Sequence, residues 1–170
     1  LLQRIAQVYR EQHDGIVAQN DELVSVLGRT LPSTSACVQL DASVVTSALE
    51  ELKDLFDRAH GGLGGAPKFP HPAELELCLR EGALRGDAQA SEVAIFTLRK
   101  MAEGGIYDQL GGGFCRYSVD EFWMIPHFEK MLYDNGPLLR LLADAWLATG
   151  DALYARCADQ TAAWMMREMQ

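Results

Sequence analysis

The chain has 170 residues, 48% hydrophobic side chains and a formal net charge of −9. That length supports one domain with a sizeable core, and the apolar fraction is that of a globular chain rather than a disordered one. The acidic balance repels phosphate backbones and argues against nucleic-acid binding, and no apolar run approaches the roughly 20 residues of a membrane span.

Leu1, Ile5 and Val8 share one helical face with charges between them, which predicts an amphipathic helix and not a signal peptide. Ile16, Leu23 and Leu27 predict that the pattern resumes after Gly15, and Gly28 and Pro32 predict its end. Residues 30–41, rich in Ser and Thr, read as a linker, with Asp41 or Ser43 as the cap of the next helix. Val45, Ala48, Leu49, Leu52, Leu55 and Phe56 then follow helical spacing up to the stop at Gly61 and Gly62. Further helices are expected over about 73–84, ended by Gly86, and about 88–102, ended by Gly104 and Gly105, with Val93, Phe96 and Leu98 inward. Two more are expected over 138–147, capped by Gly150, and from Asp151 onward through Cys157 and Met165. Val, Ile and Thr never accumulate with period-two alternation, so no strand is predicted and the fold class is all-α.

A weak repeat runs through this helical part. Each unit is a helix, a paired-glycine stop, a Gly- and aromatic-rich loop, a Pro-His step and another helix: GGLGGAPKFPHP in the first, GGIYDQLGGGF and later IPHF in the second. Repeated helical hairpins with long loops suggest a helical array or ring whose loops carry the function. The four cysteines, Cys37, Cys78, Cys115 and Cys157, form no CxxC or Cys/His cluster, so neither a redox motif nor a zinc site is signalled. Cys78 and Cys157 read as small core residues, and four reduced thiols suit a cytoplasmic protein. The histidines are too few and too scattered for a metal site.

The stretch from Gly104 to Asn135 concentrates the chemistry-bearing residues. Its GGGF reads equally as a crowded turn and as a loop that lets backbone approach a ligand. Asp134, Asp108 and Glu129 are the acid/base candidates, because carboxylates in different environments divide acid and base work, as in glycosidases. His127 is a base or a hydrogen-bonding group, and Pro126 before it fits the first turn of a helix, which places Glu129 near the positive end of the dipole. Arg116, Tyr117, Asp120, Trp123, Asn135 and Tyr107 are the candidates for substrate binding, the aromatic ones as stacking surfaces or as core. Asp120 is expected to pair with Arg116, and Lys130 with Asp134. Pro137, in Asp134-Asn135-Gly136-Pro137, predicts a break or kink that turns Asp134 and Asn135 toward a cavity.

The segments GGLGGAPKFPHP, GGIYDQLGGGFCRYSVD and WMIPHFEKMLYDN resemble the signatures of the thioredoxin-domain-containing family typified by bacterial YyaL and spermatogenesis-associated protein 20. The resemblance covers about residues 42–170 and implies the first part of an (α/α)6 toroid of the six-hairpin glycosidase type, similar to N-acylglucosamine 2-epimerases. Residues 1–29 resemble the helical tail of the thioredoxin-like domain that precedes the toroid in that family. The family motif is expected to carry His where this chain has Cys115. Roughly five helices after the linker make about half of a ring. A half ring leaves apolar stripes open and is expected to self-associate, or to stand as a truncated piece with a large exposed patch. The resemblance implies a domain that binds or processes carbohydrate, a small sugar being its partner and no cofactor being called for. The alternative is a non-catalytic scaffold, or a redox-associated module, that supports a thioredoxin-like domain.

Overall fold

The computed structural model describes residues 1–30 and 41–169, so the expected linker, with Pro32 and Cys37, lies almost wholly outside the described residues. The described residues divide into two compact units, 1–41 and 42–170. The first holds helices α1 (Leu2–Glu11) and α2 (His13–Thr30), which follow each other across one residue and meet at the junction, where the Tyr9 and His13 rings lie edge-on at 4.9 Å. The break between them falls at Gln12, whose N–H closes the last turn on the Val8 carbonyl at 2.9 Å, and not at Gly15, which lies inside α2. Gly28 does not end α2 either; the helix runs on to Thr30. A glycine open on all sides, as both of these are, lowers helix propensity by only about 1 kcal/mol and flanking residues override it.

The second unit is all-α apart from one minimal hairpin. Its helices are α3 (Ser43–Leu55), α4 (Pro72–Arg85), α5 (Ala88–Glu103), α6 (Leu132–Thr149) and α7 (Ala152–Glu168). The strands β1 (Tyr117–Ser118) and β2 (Pro126–His127) pair antiparallel, Tyr117 opposite His127, where no strand was predicted. Two residues per strand leave no alternation to read in the sequence. Helix α3 starts from Ala42, whose own side chain makes no capping hydrogen bond. It ends at Leu55, before the paired glycines, because Asp57 accepts the N–H groups of Ala59 and His60 (both 2.9 Å) and turns the chain.

Short connections then force antiparallel hairpins. Gly86, left-handed, closes α4, and the Asp87 side chain caps α5 by accepting from Gln89 and Ala90. Gly150 and Asp151 repeat that arrangement between α6 and α7. The hairpins α4–α5 and α6–α7 stand side by side, α4 against α6 and α5 against α7, with α3 on α4 and α5. Leu75, Cys78, Leu98, Leu142 and Cys157 are fully buried between them, and Val93 and Leu98 face inward as predicted, with Phe96 packed partly against the core. Pro137 does not break α6. Its missing N–H deprives only the Tyr133 carbonyl near the exposed start of the helix, while buried Leu138, Leu141 and Leu142 hold the rest in place. No helix among the described residues is long and apolar enough to cross a membrane.

This packing brings the two long loops, 56–71 and 104–131, to the same end of the hairpins, each feeding the N-terminus of the next helix. The loops are joined directly. Lys68 and Ser118 exchange both backbone hydrogen bonds at 2.8 Å, and the Trp123 indole N–H donates to the His60 carbonyl at 3.0 Å.

Candidate functional site

Where the loops meet, a cleft of about 250 Å3 opens between residues 69–74 on one side and Arg116, Tyr133 and Asp134 on the other. His71 gives it its shape. This residue sits in the left-handed region (φ 50, ψ 57) just before α4, a conformation that costs a non-glycine side chain about 1–3 kcal/mol and clusters at functional positions. Pro72 then supplies the preset first helical turn. The His71 ring points back toward Glu74 (Nδ1 to Oε1, 3.4 Å) and meets Phe69 edge-on at 6.3 Å. Phe69 stacks on Tyr117 (4.8 Å), and Tyr117 stacks on His127 (4.7 Å), so four rings run in one row from the cleft to the hairpin.

Across the cleft stands Asp134, in the first turn of α6. Its Oδ2 is shut off from solvent and has no hydrogen-bond partner among the described residues. Burial pushes its carboxyl above the ordinary value, the charge of Glu129 pushes the same way, and Arg116 only partly offsets them. Arg116 is engaged elsewhere: its guanidinium reaches Glu129 at 3.4 Å and lies over the Tyr133 ring at 5.9 Å. The expected Arg116–Asp120 pair therefore does not form. The β1–β2 hairpin determines the actual partner, since the Arg116 amide donates to the Glu129 carbonyl at 2.7 Å. Pro126 belongs to β2 and opens no helix, so Glu129 lies in the turn after the hairpin, 3.9 Å from His127 Nδ1.

The structure thus puts Arg116 and Asp134 in the cleft wall, connects Glu129 to it through Arg116 and Tyr117 and His127 through the ring row, and assigns the other candidates to different work. Asp120 accepts from the N–H groups of Phe122 (2.7 Å), Met124 (3.1 Å) and Ile125 (2.8 Å) and so folds the hairpin loop. Burial pushes its carboxyl up, and these amides with the Ser118 hydroxyl outweigh that and hold it low. Asp108 accepts from the Gly111 amide (2.8 Å) and from Lys130 (2.7 Å), which together bring its carboxyl to about 2, so it is ionised near neutrality and unsuited to donate a proton. Lys130 is accordingly the partner of Asp108, not of Asp134. Asn135 is fully buried and holds both the N–H (2.7 Å) and the carbonyl (2.9 Å) of Phe114. Trp123 and Tyr107 are buried in the core and offer no face for stacking; the Tyr107 hydroxyl donates to Gln160 at 2.6 Å. Cys115 is buried beneath the loop, where burial raises its thiol. GGGF is a crowded turn: Gly112 and Gly113 have positive φ, and a Cβ there would meet the Gln160 carbonyl and the Trp164 ring.

Four cleft residues, Phe69, His71, Glu74 and Tyr133, are not among the candidate site residues read from the sequence, although His71 and Tyr133 stand in its chemistry-bearing segments. The first two lie in KFPHP, within the repeated unit, so the repeat was the signal that pointed to them.

The chain is therefore an all-α array of helical hairpins bearing an acid-containing cleft where two long loops meet. It belongs to the family of spermatogenesis-associated protein 20. The mouse member is 37% identical over 139 residues, covering 79% of this chain and 17% of the mouse protein. The human member is 35% identical over 150 residues, covering 86% of this chain and 18% of the human protein. An uncharacterised protein of Caenorhabditis elegans is 34% identical over 149 residues, covering 85% of this chain and 20% of that protein. The chain spans about a fifth of the length of these relatives. No family model matches it.

Proposed function

We propose that residues 42–170 form part of an (α/α)6 toroid that binds a carbohydrate in the loop cleft and acts on it by acid/base chemistry. The observation that carries this reading is Asp134: a carboxyl in the cleft wall, raised by burial, with one oxygen left without a partner. An acid of that kind keeps its proton to higher pH and can donate it. Arg116, held by Glu129, orients the ligand's oxygens, and Phe69 with Tyr133 provides aromatic walls. Asp108 and Trp123 leave the catalytic and stacking roles. The test is NMR titration of the 170-residue chain with a panel of mono- and oligosaccharides. Shifts confined to residues 69–74, Arg116, Tyr133 and Asp134 support the reading; a panel in which no sugar moves these signals sinks it.

A second reading, a non-catalytic scaffold, is favoured by the number of motif residues that tie loops together: Lys68, Asp108, Asp120 and Asn135. In either case the hairpins α4–α5 and α6–α7 are two steps of a ring, residues 1–29 are the helical tail of a thioredoxin-like domain, and the protein acts in the cytoplasm. Leu84 and Leu147, 74% and 77% exposed, mark apolar surface that a further hairpin or a second copy covers. Sedimentation at increasing concentration is expected to show self-association of the chain; a single monomeric species up to about 0.1 mM excludes it.

A further inference from the structure

The charges around the cleft restrict the ligand further than its shape does. Its walls carry two carboxylates, Glu74 and Asp134, and one guanidinium, Arg116. The guanidinium is already matched by Glu129 at 3.4 Å, which lies just behind it. The imidazole of His71 reaches Glu74 through Nδ1 at 3.4 Å, a contact that is an ion pair only when the ring is protonated. The acids lining the cleft therefore outnumber its permanent cations. The aromatic walls are the rings of Phe69 and Tyr133, 38% and 59% exposed, with Pro70, Pro72 and Ala73 completing the lining. Carboxylates next to partly exposed aromatic rings attract a cation twice over, by charge and by the ring quadrupole, while an anionic group meets repulsion.

We propose that the cleft selects a ligand bearing a free ammonium group, so that within the carbohydrate reading, on which this rests, the ligand is an amino sugar and not a neutral, N-acylated or acidic one. The ammonium lies between the Glu74 and Asp134 carboxyl groups that line the cleft, and the sugar ring lies on Phe69 or Tyr133. Because the cation prefers ionised Asp134, its affinity rises with pH through the titration of that carboxyl.

The test is to titrate the 170-residue chain with glucosamine, N-acetylglucosamine, glucose, glucuronate and the non-sugar amine benzylamine, following the cleft signals by NMR. Glucosamine is expected to bind at least about tenfold more tightly than glucose or N-acetylglucosamine, as one charge-assisted hydrogen bond implies. Glucuronate is expected to bind weakest. In Glu74→Gln, with its unfolding midpoint checked against the parent, the glucosamine-to-glucose ratio is expected to fall toward 1. Equal binding of glucose and glucosamine, or preference for glucuronate, overturns the ammonium inference and leaves the carbohydrate reading standing. Binding of benzylamine without any sugar overturns the carbohydrate reading and keeps the charge selection. No binding by any of the five overturns both.

Discussion

Replacing Lys68 by Met is expected to lower the unfolding free energy by about 3–5 kcal/mol, the range for removing one partner of a buried ion pair. The Lys68 side chain is fully buried, and its ammonium has three acceptors: Asp57 Oδ2 at 2.6 Å, the Gly61 carbonyl at 2.7 Å and the Glu121 carbonyl at 3.0 Å. It also lies over the Trp123 ring at 5.5 Å. Methionine fills most of the volume and satisfies none of these acceptors, of which the Gly61 carbonyl is left buried and the other two are only partly open to water. Burial pushes the Asp57 carboxyl up, and Lys68 with the His60 and Ala59 amides outweighs that push, so loss of the ammonium also leaves Asp57 poorly compensated. Urea unfolding monitored by tryptophan fluorescence reads the result as a fall in midpoint at unchanged slope. The double variant Lys68→Met/Asp57→Leu separates the pair from the rest. If the ion pair dominates, removing both partners costs less than the sum of the single changes. Strict additivity would show that the two carbonyl contacts, not the pair, hold the loops together.

Lys68 also connects stability to the site. The same residue bridges to Ser118 through its backbone and is followed by Phe69, Pro70 and His71, the wall of the cleft. A loop knot and a cleft wall are thus adjacent in the chain, which is why the motif carries buried ionic chemistry and partly exposed aromatics within five residues.

How far the sequence could be read depends on the range of the interaction concerned. Helices α4 to α7 were legible because apolar spacing and end signals agreed: Gly86 with Asp87, and Gly150 with Asp151, each mark a stop and a start within two residues. The acids of the loop were misplaced because their partners come from tertiary contact. Asp120 and Arg116 are at helical spacing in sequence, yet they lie in a hairpin where Asp120 folds onto its own loop and Arg116 is carried to Glu129. Lys130 finds Asp108 across 22 residues for the same reason. The burial of Trp123 is equally nonlocal, since its environment is set by Gly62, Gly104 and Lys68, all outside its own hairpin. The cleft as a cluster was legible only through the repeat, which placed both loops at equivalent points of successive hairpins.

Replacing Asp134 by Asn is expected to separate the two functional readings, because under the catalytic one it weakens the site while strengthening the fold. The carboxyl is raised by burial, so its ionised form is less favourable in the folded chain than in the unfolded one. The sign follows directly. A raised acid contributes most to stability at low pH, where it is protonated in both states, and that contribution is lost as pH rises through its folded value. The amide carries no charge at any pH. Asp134→Asn is therefore expected to raise the unfolding free energy at pH 7 by on the order of 1 kcal/mol, the scale of one poorly satisfied buried polar group, and to flatten the pH profile just above the ordinary carboxyl range. Repulsion from Glu129 disappears as well, since that charge now faces a neutral group. Glucosamine affinity in the same variant is expected to fall about ten- to a hundredfold, with loss of its pH dependence. A structural role predicts the reverse pattern: a chain less stable by a kcal/mol or more, with ligand binding unchanged. Thermal unfolding and one titration at two pH values decide between them, because a residue retained for binding at the expense of the fold is the signature of a functional site.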